Sequence, residues 1–429
     1  LKLKPLIIAL VSLLCVGAYA DCPPGDLNGD CQVDAADLVL LANQWLTRRV
    51  GLTPPSAPGE GQEVGGASPT LPAAGSADLN RDGFVNGADL ALLSSQWYQK
   101  GCPIVINEVL AHAHGAASDW IELYNISSIP VHIGGWFLSD NKDDLQQYEI
   151  APGTVVEPHG YIIFYEKTHF ASPFDPGMRK AFAFTENGEA AYLYSSDDPI
   201  FPECLIGQPF GASETGYPFG RYLTSTGRYD FVTMSEPTPG AANAYPRVGP
   251  VVISEIMYHP AFNADAEYVE LVNIGSGPVT LFDSVAMEPW RLTDDTGVDL
   301  WLPADVPVTL KAGEYLLLVR DPKAMRPYAV PAGVQTLAWG SGKLDNRGGT
   351  LRLLKPGDVD KEGIRYWIDM DHISYSDGSH AEELPGGIDP WPIEADGFGS
   401  SLNRRFPARY SNDPNNWQAT IPTPGSVND

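Results

Sequence analysis

From Pro103 onward the chain repeats itself block by block, so whatever fold it adopts must build the same set of elements twice. Pro103-Ile-Val-Ile-Asn-Glu108 matches Pro250-Val-Val-Ile-Ser-Glu255. Asp119-Trp-Ile-Glu-Leu-Tyr-Asn125 matches Glu267-Tyr-Val-Glu-Leu-Val-Asn273, and Trp136-Phe-Leu-Ser-Asp140 matches Trp290-Arg-Leu-Thr-Asp294. Gly160-Tyr-Ile-Ile-Phe164 matches Gly313-Glu-Tyr-Leu-Leu-Leu318 with one residue inserted. Pro237-Thr-Pro-Gly-x-x-Asn243 matches Pro422-Thr-Pro-Gly-x-x-Asn428. The order is kept, so residues 103–246 and 247–429 read as two copies of one domain.

The blocks are short runs of β-branched and aromatic residues, several alternating, as Trp120, Glu122 and Tyr124 do against Ile121 and Leu123. Gly, Pro, Asn and Asp separate them, and the 43 Gly and 38 Pro supply many turns. That pattern predicts strands of all-β sandwiches. The expected fold class is mainly β: two immunoglobulin-like β-sandwiches preceded by a small α-helical module.

That module rests on a second duplication. Asp26 to Asp37 reads D-L-N-G-D-C-Q-V-D-A-A-D, and Asp78 to Asp89 reads D-L-N-R-D-G-F-V-N-G-A-D. Oxygen-bearing side chains fall at positions 1, 3, 5, 9 and 12: Asp26, Asn28, Asp30, Asp34 and Asp37, then Asp78, Asn80, Asp82, Asn86 and Asp89. A loop with alternating oxygens wraps one Ca²⁺, which takes about six to eight oxygen ligands. Position 7 would add a backbone carbonyl, from Gln32 or Phe84, and Asp37 or Asp89 would close the shell. Each loop runs into a short helix with an expected apolar stripe, Leu38, Leu41 and Trp45 in one copy and Leu90, Leu93 and Trp97 in the other.

Ligand spacing, stripe and duplication together make residues Asp21 to Cys102 resemble a type I dockerin, the duplicated module that docks secreted proteins onto cohesin domains. The resemblance implies two calcium ions as cofactors and a cohesin-like or other cell-surface protein as partner. Three features depart from the family pattern. Cys31 stands where position 6 is usually Gly, a linker at 51–75 separates the copies, and Ala35-Ala36 and Gly87-Ala88 replace the usual Ser-Thr type pair. The repeated β blocks are similar to the lamin tail domain, an immunoglobulin-like sandwich. Its signature here is I-x-E-V/I, D/E-W/Y-I/V-E-L-x-N, W-x-L-S/T-D and the closing P-T-P-G-x-x-N. That resemblance brings no catalytic residues.

Residues 1–20 read as a signal peptide: Lys2 and Lys4, an apolar run from Leu6 to Val16, then Ala18-Tyr19-Ala20 as the cleavage signal. The first residue is Leu rather than Met, which points to a non-standard start codon or a clipped fragment. No later stretch is apolar for the roughly 18 residues that a membrane span needs. Four cysteines follow the leader, Cys22, Cys31, Cys102 and Cys204. Three pairings are open. A Cys22–Cys102 clasp around both loops is attractive, and Cys31 would serve either partner. The linker 51–75 has no hydrophobic period and reads as a flexible loop. A formal charge of −27 disfavours nucleic acid as a partner.

Other chemistry has weaker support. Glu108, Glu122, Glu255 and Glu270 recur at matching sites and are expected to hold strand edges and bond loop amides rather than to form a glycosidase pair. His112, His114 and Asp119 read as a solvated loop. Asp358, Asp360, Glu362, Asp369 and Asp371 read as a solvated hairpin that spacing alone would allow to hold Ca²⁺. Trp120, Trp136 and Trp290 sit in strand blocks and are expected in the core. Trp301, Trp339, Trp391 and Trp417 lie in loop-rich stretches and are the candidates for a polysaccharide platform. No nucleophile elbow and no glycine-rich phosphate loop is present.

The expected function is a secreted, non-catalytic, calcium-binding modular protein for docking, adhesion or scaffolding at the cell exterior. The alternative is an accessory subunit of an extracellular polysaccharide-degrading system.

Overall fold

Asp34 and Asn86 start the two short helices of the N-terminal region, α1 (Ala35–Asn43) and α2 (Gly87–Ser95). Each side chain accepts a hydrogen bond from the first turn, and Asp37 or Asp89 reaches back to complete a capping box. The computed structural model describes residues 22–45, 76–79, 84–97, 99–196, 198, 200–201, 204–381 and 388–428. The expected leader (1–20) and linker (51–75) lie outside the described residues.

The helices share a small core of Leu27, Val33, Leu41, Ala77, Val85 and Leu93. The expected stripe holds on α2, where Leu93 is buried and Leu90 and Trp97 are partly covered. On α1 it fails in part: Leu41 is buried, but Leu38 and Trp45 are 38% and 40% exposed. In both helices the buried face runs through the inward carboxylate and the leucine four residues on, Asp37 and Leu41 in α1 and Asp89 and Leu93 in α2. Leu38 and Trp45 stand to one side of that face, whereas their counterparts Leu90 and Trp97 are partly covered.

The first sandwich pairs a five-stranded antiparallel sheet with a four-stranded one. The larger sheet runs Tyr229–Thr233, Phe219–Leu223, Ile104–Leu110, Trp120–Asn125, Tyr161–Tyr165. The smaller runs Tyr148–Glu149, Phe137–Ser139, Glu189–Tyr194, Leu205–Phe210. Ile106, Ile121, Leu123, Trp136, Leu138 and Leu193 fill the space between them.

The second sandwich repeats the plan at larger size. Its six-stranded sheet runs Gln335–Ala338, Tyr315–Val319, Tyr268–Asn273, Val251–Met257, Ser401–Arg404, Trp417–Thr420. Its four-stranded sheet runs Asp299–Trp301, Arg291–Asp294, Gly348–Val359, Arg365–Ser376. The molecule is therefore mainly β, as expected, with a short helical region in front. Trp120, Trp136 and Trp290 are core residues.

Register repeats as well as sequence. Glu108 faces Glu122 across its strand pair, just after a bulge, and Glu255 faces Glu270 just after the same bulge. Asn125 donates to the carbonyls of Ile129, Val156 and Glu157, and Asn273 to those of Gly277 and Leu310. Each asparagine thus ties the turn that follows its strand to a neighbouring loop.

Disulfides join Cys22 to Cys31 and Cys102 to Cys204. The Cys22–Cys102 clasp is not formed: Cys22 meets Cys31 within one loop, while Cys102 crosses the first sandwich.

Candidate functional site

The first acidic loop is wound around the carboxylate of Asp26. Asp26 Oδ1 accepts the amides of Gly29 (2.8 Å) and Asp30 (3.1 Å), and Oδ2 accepts that of Cys31 (2.8 Å). Asn28 Nδ2 lies 3.0 Å from Asp30 Oδ2, so positions 3 and 5 converge. Asp37 Oδ1 accepts the amides of Leu27 and Asn28, and Oδ2 that of Asp34. Gln32 bridges Lys100, but the bonds run through Val33 and Cys31, so the Gln32 carbonyl takes no part in them. Asp26, Asn28 and Asp30 are thus tied into one turn of chain and Asp37 holds its Leu27 and Asn28 amides, but the carboxylates of Asp26, Asp30 and Asp37 do not all come within 4.8 Å of one another.

The electrostatics fit a cation. Burial, reinforced by the charge of Asp30, pushes the Asp26 carboxyl up to about 6. Among the described residues no Lys or Arg pairs with Asp26, Asp30 or Asp37. The donors are hard oxygens of the kind Ca²⁺ takes. Cys22, Asp26 and Cys31 also cluster, but the two sulfurs bond each other.

Cys31 shows how the loop turns without the expected glycine. It adopts φ +63°, the left-handed region, at a cost of roughly 1–2 kcal/mol for a residue with a Cβ. The disulfide to Cys22, nine residues back, removes closure entropy worth roughly 2–3 kcal/mol and so outweighs it.

The second loop is described in part. Asp89 accepts the amides of Leu79 (2.6 Å) and Asn86 (2.8 Å), as Asp37 does in the first. Asp78 is buried and Phe84 is half exposed, while Asn80 and Asp82 lie outside the described residues.

Sequence reasoning missed two glutamines. Gln44 Oε1 accepts the amide of Ala77, just ahead of the second loop, and Gln96 Oε1 accepts that of Gly25, just ahead of the first. The residues are equivalent C-caps of α1 and α2. The shared Gln-Trp pair after each helix, Gln44-Trp45 and Gln96-Trp97, was the signal that could have found them.

The other candidate groups separate. Glu108, Glu122, Glu255 and Glu270 are fully buried and hold the closing turn of each sandwich. Thr238 and Gly240 donate amides to Glu108 and Glu122, and Thr423 and Gly425 donate theirs to Glu255 and Glu270. Asp119 takes the amide of Ala113 within its loop, whereas His112 bonds Ser213 and Thr215 of a distant loop, so the two are engaged in separate contacts. The acidic run disperses: Asp369 pairs with Arg352, Asp371 is buried against Arg404, and Asp358 and Glu362 are exposed. Of the four tryptophans proposed as a platform, Trp339, Trp391 and Trp417 are buried and only Trp301 is exposed, at 48%. Trp301 and Trp417 lie on strands rather than loops, because turns placed close to them hid a short strand pattern.

Residues 24–96 match the dockerin type I domain. Residues 99–200 match the lamin tail domain. The lamin tail match ends before the Phe219–Leu223 and Tyr229–Thr233 strands that complete the larger sheet of the first sandwich. No curated protein matches the chain. Among solved structures, a DUF4876 family protein from Bacteroides thetaiotaomicron VPI-5482 is 11% identical, covering 51% of this chain and 79% of that one with a TM-score of 0.25. Type I dockerins bind calcium and dock to cohesins, which is the chemistry the dockerin-like loops suit. Among the described residues no helix is long and apolar enough to cross a membrane.

Proposed function

We propose that this chain is an exported, non-catalytic attachment protein, docked through its N-terminal module once two calcium ions order it. One ion is held by Asp26, Asn28, Asp30, the Gln32 carbonyl and Asp37. The other is held by Asp78, Asn80, Asp82, the Phe84 carbonyl and Asp89. The partner is a cohesin-like or other cell-surface protein. The observation that carries this reading is the reciprocal pair Gln44–Ala77 and Gln96–Gly25, which couples each helix to the other loop. Ordering the loops then orders the helices. α1 offers a partner Ala35, Ala36, Leu38, Val39 and Trp45, an exposed and largely apolar face.

The sandwiches are two lamin-tail-type domains, near 103–246 and 247–429. The equivalent bulges, glutamate pairs and closing turns support the second copy. The absence of catalysis is supported by those glutamates, whose oxygens hold backbone amides in both copies. Two disulfides support an oxidising destination outside the cell.

The test is a binding titration of the full chain against immobilised cohesins, with calcium and with excess chelator. Calcium-dependent capture that Val39→Asp abolishes would support the reading. Folding and capture that are indifferent to chelator would sink it.

A further inference from the structure

A hollow of about 700 Å³ separates the two sandwiches, within the range of about 300–1,000 Å³ that ligand pockets occupy. One wall is the outer face of the second sandwich's four-stranded sheet, with Arg352, Trp367, Asp369 and His372. The other wall is the Tyr229–Thr233 edge of the first sandwich. The walls are tied together. Tyr410 Oη donates to Asp230 at 2.8 Å, Asn412 Nδ2 donates to the same carboxylate at 2.9 Å, and Lys355 reaches Glu214 at 2.6 Å. The cleft is therefore built before a ligand arrives.

Its lining is unusual for an outward sheet face. Trp367 lines the hollow, and the half-exposed Trp301 stands edge-on beside it, with centroids 5.1 Å apart and planes at 84°. The Arg291 guanidinium lies 5.0 Å from one ring and 5.8 Å from the other, which fixes both. The charges on this face cancel in pairs, Arg291 with Asp299 and Arg352 with Asp369. A strongly acidic chain offers no net attraction to an anionic polymer, and the paired carboxylates offer no vacant acidic site to a cationic one. What remains is the Trp367 ring in the hollow and the Trp301 ring at right angles beside it, rimmed by planar donors and acceptors. At the other end of the same two strands, Thr350 and Ser374 line a second hollow of about 400 Å³ with Arg228 and Arg347.

We propose that this face binds an extended, uncharged glycan, with the apolar face of a sugar ring on Trp367 and its hydroxyls bonded by the Arg352–Asp369 pair and His372. The two hollows along one strand pair suit a chain of several sugars rather than a single ring. A peptide strand is less suited, because the one edge that lines the hollow, Tyr229–Thr233, is short and its Thr233 carbonyl already accepts the amide of Arg247. The inference goes beyond the docking reading and does not depend on it, since none of these residues lies in the calcium module.

Calorimetric titration of the full chain with cellohexaose, xylohexaose and mannohexaose tests it, with a hexagalacturonate as charged control. The expected result is binding of at least one neutral hexasaccharide, unchanged by chelator. Trp367→Ala should weaken it on the order of tenfold, or about 1.4 kcal/mol. Trp301→Ala, at a half-exposed position, should weaken it by a smaller factor while the thermal transition stays in place. If Trp367→Ala does not fold, Trp301→Ala and Trp367→Phe carry the comparison. No binding of any neutral hexasaccharide, equal binding by the variants that fold, or preference for the hexagalacturonate overturns the proposal. Chelator-insensitive glycan binding together with lost cohesin capture would separate this site from the docking face.

Discussion

Glu108 and Glu122 stand opposite each other across neighbouring strands, and both close on the same turn: Thr238 donates its amide to Glu108, and Gly240 donates its amide to Glu122. The bulge before Glu108 makes this possible, since it turns Asn107 toward Glu122 at 2.8 Å. Ser254 does the same for Glu270 at 2.7 Å. Asn243 and Asn428 then donate to the carbonyls of Asn107 and Ser254, which locks the end of the turn onto the bulge. The paired glutamates and the closing P-T-P-G-x-x-N are one device, written at two distant places in each copy.

Glu122→Ala and Glu270→Ala should therefore destabilise their sandwiches, because each leaves a glycine amide of the closing turn without its acceptor, the more so at Glu270, whose donor Gly425 is buried while Gly240 is exposed. The expected cost is about 1–3 kcal/mol. Urea unfolding followed by tryptophan fluorescence should show a lower midpoint for each variant. An unchanged midpoint would mean that the turn closes by other contacts.

The same carboxyls give a pH dependence with a definite sign. Burial, with the charge of Glu255 adding to it, pushes Glu270 up to about 8 from its ordinary 4.5, and burial pushes Glu108 up to about 7. Between those ordinary and folded values the folded chain binds protons that the unfolded chain has lost. Their contribution is complete below pH 4.5, falls as pH rises through the window, and is gone above about 8. Calorimetric melting across that range should show this fall, and Glu270→Gln should flatten it. A slope identical in both proteins would contradict the assignment.

The calcium module predicts a stoichiometry. Asp30→Ala removes a charged donor from the first loop alone, so equilibrium dialysis should find about one ion per chain instead of about two. A wild-type ratio of about one would confine binding to a single loop. Gln44→Ala should act differently: it leaves the donors in place but uncouples Ala77 from α1, at a cost of about 1 kcal/mol. Its signature is an ordinary ion count with a lower melting temperature.

How much of this was legible from the chain depends on the range of the contact. The strand blocks and the two short helices were readable because each is set by neighbours in sequence. The α1 stripe misled because Leu38, Leu41 and Trp45 satisfy the helical period, which counts apolar residues and passes over the buried carboxylate of Asp37 that shares the inner face with Leu41. Cys22–Cys31 was one of the pairings left open, but Cys102–Cys204 was beyond reach for a related reason. Cys102 finds Cys204 across 102 residues, and only the assembled sandwich brings those ends together. Trp367 escaped notice because it alternates in a strand like a core residue. Its neighbours Ile368 and Met370 hold the inner face and turn it outward.

Asp371 makes the sharpest case for tertiary context, because the sequence places it in an acidic run and the fold places it in the interior. Its Oδ2 accepts from Arg404 Nη1 at 2.7 Å and from the Ile253 amide at 2.8 Å, and both side chains are almost entirely enclosed. Arg404 also donates to the carbonyls of Ile253 and Arg409, so the guanidinium pins the Ser401–Arg404 strand to the first strand of its sheet. Removing only the carboxylate would leave a cation enclosed with carbonyls alone. Asp371→Ala should cost about 3–5 kcal/mol, whereas Asp371→Leu combined with Arg404→Met should recover most of that loss. A double-mutant cycle on denaturant midpoints measures the difference. If the single and double variants were equally unstable, the pair would not be what joins these strands.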